Sequence, residues 1–220
     1  MARIDRDQTG AAPSHPAAEP PAGELPVAGL LLAAGGGRRL GGRPKALLQH
    51  AGRPLVEHAV RVLREGGCEQ VYVVLGAARE DVRARARLDG CVLVDNPDWA
   101  QGMGTSLCAG LERMTRDGAA GAALVSLVDQ PGIGAGAVAR VRAAHTSPGS
   151  LAAASYEGRR GHPVLFGARH WPGVLASAHG DVGARAYLGG HGDDLALIEC
   201  GDIADLGDID TPEDLARLAP

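Results

Sequence analysis

Aromatic side chains are scarce: Phe, Trp and Tyr make up 3% of the 220 residues. Platforms of stacked rings for single-stranded nucleic acid are not to be expected from such a chain, and Ala, Val and Leu must fill the core. Surplus positive charge is missing too. Lys and Arg number 22 against 26 Asp and Glu, a formal net charge of −4, which argues against a broad nucleic-acid footprint. The four cysteines, Cys68, Cys91, Cys108 and Cys200, form no Cys-x-x-Cys pair. A zinc knuckle or thioredoxin-type centre is therefore not indicated, and free thiols in a reducing cytoplasm are the expectation. No apolar run approaches the length of a membrane span, so no membrane partner is expected, and no internal repeat is evident. Residues 1–24 hold Pro, Ala, Gly and scattered charge without the apolar centre of a signal peptide. They read as a disordered tail ahead of a single domain over residues 25–220.

What is present is an alternation of short apolar runs and helical patterns. Val27 to Ala34, Val71 to Leu75, Cys91 to Val94 and Ala122 to Val128 read as strands buried on both faces. Pro54 to Arg64, Glu80 to Leu88, Thr105 to Met114 and Gly136 to Ala144 read as the intervening helices. Leu151 to Ser155 and Pro163 to Phe166 read as paired strands joined by the polar turn Tyr156 to Arg160. Gly183 to Leu188 suits a short helix and Leu195 to Glu199 a late strand. Thr211-Pro212-Glu213-Asp214 opens a last helix, with Thr211 as N-cap and Asp214 completing a capping box. The alternation implies an α/β fold with a mainly parallel, doubly wound sheet and helices on both faces. Ligands in such sheets sit beyond the carboxyl ends of the strands.

The first strand runs into Gly35-Gly36-Gly37-Arg38-Arg39-Leu40-Gly41, with Lys45 shortly after. Glycines that let backbone N–H groups approach closely, together with fixed positive charge, suit a polyphosphate. Leu40 breaks the dinucleotide fingerprint, and Lys45 between Pro44 and Ala46 is not a Walker lysine. A tight turn with solvated arginines is the plainer alternative. Asp129-Gln130-Pro131 closes the fourth strand; it is either a turn or a carboxylate able to hold a divalent metal beside a polyphosphate. Gly102-Met103-Gly104-Thr105-Ser106 precedes a helix, as an anion-binding N-terminus or an ordinary cap by Thr105 or Ser106. Asp208 and Asp210 lie on one side of an extended segment, within reach of a metal on Asp129, unless Asp210 only supports the cap at Thr211.

The glycine-rich loop with Lys45 resembles the opening motif of the nucleotidyltransferases that join a nucleoside triphosphate to a phosphorylated small molecule. Ala33-Ala34 before Gly35, Asp129-Gln130-Pro131, Gly161-His162-Pro163 and Gly180-Asp181-Val182-Gly183-Ala184-Arg185 make the chain most similar to the molybdenum cofactor cytidylyltransferases. The resemblance implies a Rossmann-like three-layer fold of the nucleotide-diphospho-sugar transferase type. It implies that Leu32, Ala33, Ala34, Gly35, Gly37, Arg38 and Arg39 wrap the nucleotide with Lys45, Asn96, Gly102, Thr105 and Ser106. Arg39, Lys45 and Asp129 would be catalytic. Asp129 would be the principal Mg2+ ligand, with Asp208 the first choice and Asp210 the second for a further metal contact. His162, Asp181 and Arg185 would face the acceptor.

The activity so implied is Mg2+-dependent transfer of CMP from CTP to the phosphate of a pterin-type acceptor, with pyrophosphate released and a molybdenum hydroxylase as eventual recipient of the product. CTP is favoured over GTP because guanylyl-transferring relatives tend to carry Ala-Gly where this chain has Ala33-Ala34. Two alternatives stay open: a cytidylyltransferase for a phosphorylated sugar or polyol, and a non-catalytic accessory that binds nucleotide or cofactor for a molybdenum hydroxylase. Gly36-Gly37 and Leu40 depart from the usual loop and bear on the choice of base.

Overall fold

A computed structural model describes residues 26–218; the expected tail, residues 1–24, lies outside them. The elements in chain order are β1 (Val27–Leu32), β2 (Gln49–His50), β3 (Arg53–Pro54), α1 (Leu55–Glu65), β4 (Val71–Leu75), α2 (Arg79–Arg85), β5 (Cys91–Asp95), α3 (Met103–Asp117), β6 (Ala122–Leu127), α4 (Ala135–Arg142), β7 (Leu151–Tyr156), β8 (Arg159–Gly167), α5 (Trp171–Ser177), α6 (Arg185–Gly190) and β9 (Ala196–Glu199). Seven strands form one sheet in the order β5-β4-β1-β6-β8-β7-β9. Only β8 runs against the others.

Alternation along the strands divides the apolar residues between two cores. Leu31 and Val73 face one side, under Leu55, Val60 and Leu63 of α1 and Val138 and Val141 of α4. Leu30, Tyr72 and Val74 face the other, under Leu107, Leu111 and Met114 of α3, Trp171 of α5 and Leu188 of α6. This is the expected three-layer, mainly parallel arrangement. The helix α3 lies close on β1 because Gly110 has no side chain: a Cβ there would meet Leu30 Cδ1 at 2.4 Å.

Several boundaries differ from the sequence reading. The strand β1 stops at Leu32, so Ala33 and Ala34 belong to the loop. The helix α2 ends at Arg85, and Leu88, beyond it, is buried in the first core. The polar turn shrinks to Glu157-Gly158, whose φ values of 52° and 79° suit a two-residue hairpin; Arg159 to His162 are strand. Their polarity misled because Arg160, Gly161 and His162 line a cavity. The pair β2–β3 and the helix α5 carry no pattern that marked them. The last helix is a 3-10 turn over Glu213–Leu218. There Asp214 Oδ2 accepts from the backbone N–H of Asp210 (3.0 Å) and Thr211 (2.8 Å) and from Thr211 Oγ1 (3.0 Å). The Thr211 hydroxyl is thus spent on Asp214 instead of capping the helix.

The four cysteines are free, and no described helix is long and apolar enough to cross a membrane.

The α3–β1 contact gives a stability test. Replacing Gly110 with Val drives branched carbons into Leu30, and overpacking of this kind costs about 1–3 kcal/mol. Denaturant unfolding should show a lowered midpoint, whereas Gly136→Ala, whose nearest neighbour is 3.5 Å away, should leave it nearly unchanged.

Candidate active site

The carboxyl ends of β1 and β6 open into a cleft of ≈380 Å3. The loop after β1 forms one wall. Gly37 adopts a left-handed conformation (φ 60°, ψ 44°), and its carbonyl accepts from the N–H of Leu40 (2.8 Å) and Gly42 (3.0 Å). A Cβ at Gly37 would lie 2.0 Å from the Arg43 carbonyl oxygen, so only glycine closes this loop. Among the described residues, the N–H groups of Gly35, Gly36 and Gly37 have no partner. Three free donors in succession are the groups from which a backbone anion site can be built.

The floor is an ion cluster. Lys45 Nζ donates to Asp129 Oδ2 at 2.6 Å and also to Asp210 Oδ1, and Arg39 Nη1 stands 3.7 Å from Asp210 Oδ2. The Lys45 and Asp129 side chains are mostly covered, whereas Arg39 is 77% exposed. Burial works to lower the Lys45 pKa, but the charges of Asp129 and Asp210 outweigh it and hold the ammonium above its ordinary value. The C-terminal segment is pinned alongside by Ile209 N–H donating to the Asp129 carbonyl at 2.8 Å.

Asp208 departs from expectation. Its carboxylate accepts from Gln130 Nε2 at 2.7 Å, and it lines a neighbouring cavity and not the cleft. Burial raises its pKa against the Gln130 hydrogen bond. Asp210, the second choice, is the carboxylate that meets Asp129 around one cation. No three His, Cys, Asp or Glu side chains converge as a metal set among the described residues. Asp129 and Asp210 nonetheless present hard oxygen donors to one point held by an ammonium. That suits Mg2+, which takes one or two carboxylates and completes its shell from water and phosphate oxygens. Arg38, Arg39 and Lys45 on the cleft wall are balanced by Asp129, Asp181 and Asp210. A polyphosphate therefore needs an added cation to be neutralised there.

The segment after β5 divides into clamp and wall. Asn96 is buried; its Nδ2 donates to Thr105 Oγ1 and Ser106 Oγ, both at 2.9 Å, and its Oδ1 accepts from Asp98 N–H at 3.0 Å. Asn96 and Thr105 thus hold the start of α3 and do not line the cleft, nor does the buried Ala33. The N-cap is Gly102, so Thr105 and Ser106 sit inside the first turn and are not caps. Leu32, Ala34, Gly35, Gly37, Gly102 and Ser106 do line the cleft. Trp99 and Met103 line it as well; they lie in and beside the segment that the sequence reading marked, but neither side chain was given a role there. Gly102 (φ 119°, ψ 176°) and Gly104 let the segment His179 to Asp181 approach. A Cβ would meet the Gly180 carbonyl carbon at 2.4 Å and the His179 N at 2.7 Å.

A second cavity of ≈320 Å3 adjoins the first, sharing Leu32, Met103, Leu127 and Asp181 with it. His162, Asp181 and Arg185 line it, with Arg160, which the sequence reading placed in a turn, and the apolar side chains Val125 and Phe166. Burial first, then the charge of Arg160, pushes the His162 imidazole down to about 4. The backbone at His162 is held by Tyr156 Oη, which donates to its carbonyl at 2.6 Å.

The chain has informative relatives. The MobA-like NTP transferase domain model matches residues 29–195. Nicotine blue oxidoreductase of Paenarthrobacter nicotinovorans is 43% identical over 206 residues, spanning 89% of this chain and 98% of that protein. Among solved structures, the Rv0371c homologue from Mycobacterium sp. strain JC1 aligns with a TM-score of 0.74 at 32% identity, over 89% of this chain and 96% of its own. Rv0371c of Mycobacterium tuberculosis in complex with manganese aligns at 0.70 and 28% identity, over 88% of this chain and 97% of its own.

The imidazole in the second cavity sets a pH dependence. Its folded pKa, about 4, lies below the unfolded value of about 6.5. Between these values the unfolded chain binds more protons, so this contribution is fully present above the unfolded pKa and is lost as pH falls toward 4. Thermal midpoints measured from pH 7 to pH 5 should fall, and the fall should be shallower in His162→Gln.

Proposed function

The chain belongs to the MobA-like NTP transferase family, and from that premise we propose that it is a nucleotidyltransferase using a nucleoside triphosphate, with CTP favoured, and a phosphorylated pterin-type acceptor. The observation that carries this reading is the Lys45–Asp129–Asp210 cluster at the floor of a cleft that adjoins a second cavity. Nucleotidyl transfer needs a place for a polyphosphate, a place for a divalent cation beside it, and an acceptor within reach. The first cleft has free N–H groups and cations for the phosphates, and the second cavity has Arg160 and Arg185 for an anionic acceptor.

Asp129 and Asp210 would hold Mg2+, with Asp208 nearby. The bound ion would neutralise charge on the α-phosphate and the departing pyrophosphate. The chain's own groups do the rest. The free N–H groups of Gly35 to Gly37 and the side chains of Arg39 and Lys45 bind the phosphates. Lys45 exchanges its carboxylate partners for phosphate oxygens as the triphosphate settles. Arg185 grips the acceptor phosphate through a planar fork. A phosphate monoester loses its second proton near a pKa of about 6, so the attacking oxygen is already ionised at neutral pH and no strong general base is required. It attacks the α-phosphorus, and pyrophosphate leaves in line. Rate enhancement comes from positioning and charge neutralisation.

A second reading has a specific observation behind it, the relative named nicotine blue oxidoreductase. Under it the first cleft would take a nucleotide hydride donor and the second cavity the molecule reduced.

Pyrophosphate release with each of the four ribonucleoside triphosphates, molybdopterin and Mg2+ tests the proposal. The expected outcome is release with CTP above the others, lowered about 10²–10³-fold in Lys45→Met and Asp129→Asn, with the unfolding midpoint little changed in Asp129→Asn, which leaves Lys45 paired with Asp210. Undiminished turnover in Asp129→Asn would overturn the metal assignment. Bleaching of nicotine blue by NADH or NADPH, without pyrophosphate release from any triphosphate, would establish the second reading instead. Lys45→Met should also tighten Mn2+ binding in the absence of nucleotide, because the two carboxylates lose their resident cation; titration calorimetry reads this directly.

A further inference from the structure

We propose that Trp99 is the residue that positions the nucleobase in the first cleft, a deepening that rests on reading that cleft as the nucleotide site. The sheet order is β4-β1-β6, so the segments leaving the carboxyl ends of β4 and β6 lie on opposite sides of the β1 end. Asp129 comes just after β6 and, with Lys45 and Asp210, makes that side the charged one. On the opposite side Trp99 packs over Gly76, the residue after β4, and over Gly36 of the loop. A Cβ on Gly76 would lie 2.5 Å from Trp99 Cβ, and one on Gly36 would lie 3.0 Å from Trp99 Cη2. Two glycines therefore admit the indole to the cleft wall. A nucleotide laid across the end of β1, with its phosphates at Lys45, directs its base toward this ring.

The other five aromatic side chains are committed elsewhere. Tyr72 Oη donates to Asp117, Tyr156 Oη to the His162 carbonyl and Trp171 Nε1 to the Phe166 carbonyl, and Tyr187 Oη pairs with His170 Nδ1. Phe166 is buried in the core. Among the described residues the Trp99 indole N–H has no hydrogen-bond partner, and the side chain is only half-buried. Each base has a π-face that a ring of this kind can stack on.

The test separates base from phosphate. Binding of CTP and of inorganic tripolyphosphate is measured by calorimetry, and tryptophan emission is followed in parallel. CTP should quench the emission of the wild-type protein and leave that of Trp99→Phe, which retains only buried Trp171, unchanged. Trp99→Ala should weaken CTP about tenfold and leave tripolyphosphate unaffected, with CTP affinity largely restored in Trp99→Phe. Equal losses for CTP and tripolyphosphate in Trp99→Ala would reduce the ring to a structural support and overturn the proposal. So would CTP binding that neither quenches emission nor responds to Trp99→Ala. Pyrophosphate release together with that indifference refutes the role of Trp99 alone. Trp99-dependent binding without release refutes the transferase reading alone.

Discussion

The site depends on one ammonium group. Lys45 lies between Asp129 and Asp210, partners 84 and 165 residues away in sequence, and so joins the glycine-rich loop, the end of β6 and the C-terminal segment. Without it, two carboxylates would face and repel each other across a partly covered floor. With it, and with Arg39 3.7 Å from Asp210, the floor is neutral, and the two carboxylates keep the lysine protonated. The same neutrality sets the terms for any ligand. A polyanion must draw Lys45 from its carboxylates, and a cation must replace it there. Each alone would leave an unpaired charge, so on the proposed reading polyphosphate and divalent ion would favour each other's binding.

The scaffold around the cluster is kept close by missing side chains. Gly37 closes the loop on Arg43, Gly110 seats α3 on β1, and Gly102 and Gly104 bring the His179 to Asp181 segment against the start of α3. The clamp of Asn96 on Thr105 and Ser106 fixes that same helix end. Met103 and Asp181 border both cavities, so a shift of the α3 start would alter the two together.

The sequence was a good guide where the physics is local and periodic. Continuous apolar runs marked the strands buried on both faces, and the loop glycines with Lys45 marked the lining of the first cleft. It was a poorer guide where one residue type serves two purposes. Asn96 and Thr105 have the donors and acceptors of a ligand site, yet they spend them on each other. Asp208 and Asp210 share one side of an extended segment by alternation, but alternation does not say which faces Lys45. That depends on the Ile209–Asp129 backbone bond and the Asp214 turn, both tertiary. Arg160 was hidden because a polar run between strands reads as a turn, although here it is strand lining a cavity. Trp99 was given no role, because its place is set by Gly36 and Gly76, which lie 63 and 23 residues before it in the chain.

A fold does not fix a reaction, and a relative of nearly full coverage named as an oxidoreductase makes the point for this chain. The choice between chemistries therefore rests on local groups. Hydride transfer from a nucleotide cofactor uses the phosphates only as a handle, and donors with positive charge suffice to hold them. Paired carboxylates beside those phosphates would weaken such a handle, since they repel it. Nucleotidyl transfer has a use for them, because a divalent ion must stand at the reacting phosphate. Asp129 and Asp210, placed where a mere phosphate handle would be better without them, are what tilts this cleft toward transfer.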